Sequence, residues 1–289
     1  MKEIIGWLQH MEQSACEVYR ALSDRFSHDE EFSSFLSRLA EEESLHFQIM
    51  GSAGRYLQET GKNPLSAVRI DSTTKNRIEM PMKRLYGLMR DESVSKQDVI
   101  GYIVQTEFSE WNDIFLYVIN TLKGYARTFQ YGAAAMQEHQ RGIERFLEHL
   151  PANSSAIEDV RKLPRIWEER ILIVEDDPPV RHVLARFLGG NLGSVETASN
   201  GQAALEKIKD QFFNAVVSDI EMPVMGGLEL YRTATQIAPE IATRFLFCTG
   251  KTTAEVEALC RENGLLCLEK PFKLHQLGEA VRAIMDRAF

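Results

Sequence analysis

Apolar positions in the first half of the chain recur every three or four residues, the repeat of helices that each bury one stripe. Ile4, Leu8, Met11, Ala15, Val18 and Leu22 form one such stripe. After a turn at Ser27-His28-Asp29, Phe32, Phe35, Leu39, His46 and Met50 form a second. Ile100, Ile103, Val104, Glu107, Trp111, Ile114 and Val118 mark a third helix, and Met136, His139, Ile143, Phe146 and Leu150 a fourth. The stretch from Gly61 to Lys96 carries a weaker helix near Arg77 to Met89 and is long enough to return the chain across a bundle. The pattern predicts an all-α four-helix bundle over residues 1–150.

Pro151-Ala-Asn-Ser-Ser155 and the charged stretch after it have linker composition, so residues 151–168 are expected to join two domains. From 169 to 289 the repeat changes. Short apolar runs at 171–174, 194–198, 215–217, 245–248 and 265–268 alternate with amphipathic segments. Strict alternation of strand and helix predicts right-handed βαβ units, hence a doubly wound parallel five-stranded sheet of flavodoxin-like type covered on both faces.

The 289 residues suit two domains, and 44% hydrophobic against 26% charged residues gives each a packed core. With 33 Lys and Arg against 42 Asp and Glu, the net charge of −9 is the wrong sign for a general nucleic-acid binder. Cys16, Cys248, Cys260 and Cys267 form no C-x-x-C pair, which disfavours a zinc ribbon, an iron–sulfur entry site or a redox dithiol. The N-terminal apolar residues are interrupted by charge too early for a signal peptide, and no stretch suits a membrane span, so a cytoplasmic protein is expected.

In an open parallel sheet, ligands bind beyond the carboxyl ends of the strands. Those ends carry Glu175-Asp176-Asp177, Asp219, Thr249-Gly250 and Glu269-Lys270-Pro271. Two carboxylates ~4 Å apart repel by about 4 kcal/mol at an effective dielectric near 20, so the cluster calls for a cation. A hard divalent ion, magnesium above all, suits an open set of carboxylates, and Lys270 adds a fixed ammonium. One carboxylate can then act as nucleophile toward a phosphoryl group. Ile171-Leu-Ile-Val-Glu-Asp-Asp-Pro178, Ser218-Asp-Ile-Glu-Met-Pro-Val-Met-Gly-Gly227, Thr249-Gly250 and Lys270-Pro-Phe272 together closely resemble the receiver domain of two-component response regulators. The resemblance implies Asp219 as phosphoacceptor, Glu175 and Asp176 as acidic magnesium ligands with Asp219 and the Glu221 carbonyl, Thr249 as switch hydroxyl and Lys270 as phosphate contact. It also implies a sensor histidine kinase or phosphotransfer protein as partner. Cys267 departs from the family, which usually carries Tyr or Phe three residues before the lysine.

In the helical half, Glu43-Ser-Leu-His46 sets a carboxylate and an imidazole one turn apart on one face, the spacing by which bundles supply metal ligands. Glu107 shares an apolar phase, Glu110 follows three residues on, and Glu17 sits beside Val18. Buried carboxylates on several helices require a metal or mutual pairing. With Leu39-Ala-Glu-Glu-Glu-Ser-Leu-His46 and Glu107-Phe-Ser-Glu110, this half is similar to the ferritin-like family, in its rubrerythrin branch. The resemblance implies a dimetal site of Glu17, Glu43, His46, Glu107, Glu110 and His139 holding iron or manganese. Its second Glu-x-x-His falls on Met136-Gln-Glu-His139, with Met136 where a carboxylate belongs; Gln137, Glu138 or Gln140 would substitute only if the helix turned. The expectation is a response regulator whose receiver is coupled to a metal- or oxygen-sensing helical domain. A phosphorylation-gated di-iron oxidase and a metal-free interaction module, homodimeric or not, are the alternatives.

Overall fold

The computed structural model describes residues 2–61, 70–107, 110–149 and 167–286. The chain forms two compact units, Met1–Ile166 and Trp167–Phe289. Of the expected linker, residues 151–166 lie outside the described residues.

The first unit is all-helical: α1 Lys2–Arg25, α2 Glu30–Thr60, α3 Ser72–Arg90, α4 Lys96–Glu107, α5 Glu110–Leu122 and α6 Arg127–Glu148. The helix expected over Ile100–Val118 is thus described as α4 and α5, on either side of residues 108 and 109, and six helices are described where four core helices were expected. Asp29 caps α2 by accepting from the Phe32 amide at 3.1 Å, and Gly61, at φ +62°, supplies the left-handed residue that ends it. Because a short turn joins them, α1 and α2 lie antiparallel. Ser23 and Ser33 exchange hydroxyl-to-carbonyl bonds of 2.9 Å at one end, and at the other a side chain on Gly54 would meet Ile5. Helix α6 runs back along α2, with Gly132 against Ile49 and Phe146 stacked on Phe35 at 3.7 Å between ring centroids.

The second unit contains β1 Arg170–Val174, α7 Pro178–Gly189, β2 Ser194–Ala198, α8 Gly201–Asp210, β3 Ala215–Asp219, α9 Gly227–Ile237, β4 Phe245–Thr249, α10 Ala254–Asn263, β5 Leu266–Glu269 and α11 Leu274–Met285. The strands are parallel in the order β2-β1-β3-β4-β5, as alternation required. Alternate residues take opposite faces. Leu172, Val174, Val216, Phe245 and Phe247 pack in one core with α8, α9 and α10, while Ile171, Ile173, Val217, Leu246 and Cys248 pack in the other with α7 and α11. Trp167 is buried and donates its indole N–H to Asn214 Oδ1 at 2.8 Å, which fixes the chain as it enters β1.

Glycine is required where β3 turns into α9. A Cβ on Gly227 would collide with the Asp219 carbonyl oxygen and stand 2.9 Å from Ser218 Oγ. Gly227→Ala is therefore expected to destabilise this unit by about 1–3 kcal/mol, as overpacking does. A urea titration of the full chain with unchanged midpoints would count against that reading.

Candidate functional site

The sheet order brings the ends of β1, β3, β4 and β5 to one rim. Oxygens of Glu175, Asp176 and Asp219 approach within 4.8 Å of one another there. Glu175 is buried, Asp176 exposed and Asp219 half-buried. From the far side of the sheet, Lys270 Nζ donates to Glu175 Oε2 at 2.8 Å and to Asp219 Oδ2 at 2.6 Å. Burial lowers the lysine's proton affinity, but the hydrogen bonds and charges of Asp219 and Glu175 outweigh it, so the net shift is upward and the ammonium persists. The Glu221 amide donates to Asp219 Oδ1 at 3.3 Å. The Asp177 amide donates to Glu175 Oε1 at 3.3 Å, and the grouped carboxylates are a donor set suited to a hard divalent cation.

Helix capping, the ordinary alternative for an aspartate at a strand end, belongs to a neighbour. Asp177 caps α7, accepting from the Val180 amide at 2.9 Å, and α9 has Gly226 at its cap position. Asp219 is thereby left to the rim. Thr249 is buried, its hydroxyl donating to the Lys251 carbonyl at 2.8 Å and accepting from the Lys251 amide at 3.1 Å. It must exchange these bonds to reach an anion on Asp219. Arg181, which the sequence did not single out, clamps the first acidic loop by donating from Nη1 to the carbonyls of Glu175 at 2.6 Å and Asp176 at 3.2 Å. Cys267 pairs in register with Phe247, and burial pushes its thiol up to about 11. Aromatic bulk in that core comes instead from Tyr231 of α9, set edge-on to Phe245 and Phe247 at 5.2 and 5.9 Å.

Residues 171–282 match the family model described as the response regulator receiver domain. The response regulator receiver protein CpdR of Brucella abortus is 30% identical over 42% of this chain and 99% of its own length. The chain belongs to the response regulator receiver family. Response regulator MprA of Mycolicibacterium vanbaalenii is 36% identical over 41% of this chain and 51% of its own, so the chain spans about half the length of the MprA relatives. A CheY-like receiver domain protein from Methanospirillum hungatei aligns with 29% identity and a TM-score of 0.38, over 41% of this chain and 94% of that one.

Outside the receiver, the helical unit gathers a second set of ionisable groups in its core. His46 Nδ1 lies 3.1 Å from Glu43 Oε2 and 3.6 Å from Glu12 Oε2. His139 is held on both sides, by Glu42 at Nδ1, 2.9 Å, and by Glu107 at Nε2, 3.0 Å, with Glu43 Oε1 3.8 Å away. Tyr19 donates to Glu107 at 2.9 Å. Glu43, His46, Glu107 and His139 therefore meet as expected. Glu17 does not: it is exposed and accepts from Gln13 at 3.2 Å. Glu12 takes the place on α1, and its signal was present in the sequence, since Ile5, Leu8, Glu12, Ala15, Tyr19 and Leu22 continue one apolar phase. Glu42 was also missed. The side chain of Glu110 lies outside the described residues. Met136 is buried beside the cluster, as phase matching implied, while Glu138 pairs with Arg145 at 2.5 Å.

Burial, reinforced by Glu12, raises the Glu43 pKa to about 7. Burial opposes protonation of His46, but hydrogen bonds to Glu12 and Glu43 prevail and raise it to about 9. Both groups hold more protons folded than unfolded, so stability falls as pH rises, through Glu43 between about 4.5 and 7 and through His46 between about 6.5 and 9. Glu42 shifts downward and stays ionised across this window. In chelator, the thermal midpoint of the helical unit is expected to be lower at pH 9 than at pH 5.5, and His46→Gln should flatten the slope. A midpoint that rises over this range would contradict these assignments.

Proposed function

We propose that this protein is a two-component response regulator that accepts a phosphoryl group on Asp219, and that its two domains, joined through residues 151–168, exchange that signal. The observation that carries the reading is the double contact of Lys270 with Asp219 and Glu175, which holds an ammonium beside a nucleophilic carboxylate at an acidic rim. Magnesium, bound by Glu175, Asp176, Asp219 and the Glu221 carbonyl, would neutralise phosphoryl oxygens. An Asp219 carboxylate oxygen attacks phosphorus, an O–P bond forms, and the N–P bond of a phosphohistidine on a kinase or phosphotransfer protein breaks, leaving its imidazole. Lys270 can follow the new charge from Glu175 to the phosphoryl oxygens. Thr249 can then exchange Lys251 for the same oxygens, which shifts the β4–α10 loop.

The helical unit, ferritin-like in this reading, binds a transition metal such as iron or manganese through its Glu and His cluster and couples metal or oxygen supply to the receiver. What supports it is the convergence of four buried glutamates and two buried histidines from α1, α2, α4 and α6.

Incubation with acetyl phosphate and magnesium should add one phosphoryl group per chain, measured by intact mass. Asp219→Asn should abolish the adduct, and Lys270→Ala should slow its formation about 100-fold, the order found when one preorganised charge-stabilising donor is lost. An adduct that survives in Asp219→Asn would refute the assignment.

A further inference from the structure

Resting on the metal-binding reading just given, we propose that the helical unit holds one divalent first-row transition ion per chain, bound by Glu43, His46 and His139, and not the two-ion centre that ferritin-like resemblance implies. Ligand atoms of these three buried residues lie within 4.8 Å of one another. Metal–nitrogen and metal–oxygen bonds of about 2.0–2.2 Å place opposed ligands roughly 4 Å apart, so a contraction of less than about 1 Å brings the three into one coordination sphere. The imidazole rings of His46 and His139 stand 5.0 Å apart between centroids, at 77°. A nitrogen about 2.1 Å from an ion puts its ring centroid roughly 3.2 Å away, so two rings at a tetrahedral angle would be roughly 5.2 Å apart.

A second observation points to a ligand, an unpaired buried nitrogen at a small cavity that Glu12, Glu43 and Glu107 also line. His46 is 1% exposed, lines a cavity of about 10 Å³, and its Nε2 has no hydrogen-bond partner. Asn112 lines the same cavity with its Oδ1 likewise unpaired, although its amide donates to the Glu107 carbonyl. Phe115 and Met136 complete an apolar wall. This space admits roughly one water-sized occupant. Two imidazoles and one carboxylate with an open side form a set suited to iron(II) and related ions. Glu42 grips Nδ1 of His139 at 2.9 Å and turns Nε2 toward the cluster, where Glu107 Oε2 at 3.0 Å would yield it to an ion; this is the outer carboxylate–histidine arrangement that orients metal-ligating imidazoles.

A second ion meets an obstacle. Two ions roughly 3.5–4 Å apart require shared ligands between them. Glu43 can offer one oxygen toward each histidine, but Met136, buried at the cavity, stands where the resemblance implies the second bridging carboxylate, and Glu17 is out of reach at the surface. Glu12 and Glu107 are left as flanking carboxylates that balance the charge of the occupied site.

The test is metal content of the full chain, stripped with chelator, reloaded with manganese(II) or zinc(II) in excess magnesium to mask the receiver, desalted and measured by mass spectrometry. One ion per chain is expected, retained in Asp219→Asn and in Met136→Leu, and lost in His46→Ala and His139→Ala with helical circular dichroism preserved. Glu42→Gln, a positioning change, should weaken affinity 10–100-fold without changing stoichiometry. Two ions per chain would overturn the single-ion assignment while leaving the metal reading intact. No ion in the unsubstituted protein would overturn the metal reading itself. Should the histidine variants fail to fold, these two outcomes of the unsubstituted chain still decide the matter, and loss of the ion in Met136→Leu would overturn the ligand set.

Discussion

Carboxylates forced close together must be compensated, and both units are organised around that constraint. In the receiver the compensating group is one ammonium, Lys270, reaching Glu175 and Asp219 from a strand that is not adjacent to β1. In the helical unit it is a pair of imidazoles set among Glu12, Glu42, Glu43 and Glu107. The two solutions differ in solvent access. The receiver site opens on the sheet rim with Asp176 exposed, which suits exchange of ions and phosphoryl groups. The helical cluster is buried throughout, which suits a ligand that stays.

That difference also separates the chemistry available to each site. An ammonium hydrogen-bonded to two carboxylates can transfer its attention to an incoming phosphoryl group with little movement of the backbone. Imidazoles locked between glutamates can accept a metal only by giving up protons, because a nitrogen that carries a proton cannot also ligate.

Phase along a helix decided which acidic residues entered the core. Glu12 and Glu17 are both on α1, yet only Glu12 continues the stripe of Ile5, Leu8, Ala15 and Tyr19, and it alone of the two is buried. On α6, Met136 and Glu138 are both buried, but Met136 lines the cavity beside His46 while Glu138 turns toward Arg145. Glu42 is a subtler case: it lies one position from Glu43 and so on a different face, where it meets His139 from α6 while Glu43 meets His46. A single stripe drawn from the sequence cannot show that two adjacent glutamates serve two different histidines.

The order of apolar runs and the polar residues that end them were enough to specify the parallel sheet, its rim and the receiver residues, because strand alternation and right-handed crossovers leave few ways to assemble five βα units. Helical periodicity likewise located Glu43, His46, Glu107 and His139 in a core. Tertiary packing alone settled the rest: that Lys270 bridges Glu175 and Asp219, and that Glu42 and Glu107 hold His139 from its two sides. Each of these depends on distances between residues far apart in the chain, and periodicity reports only which side of an element a residue occupies, not which atom from another element it will meet.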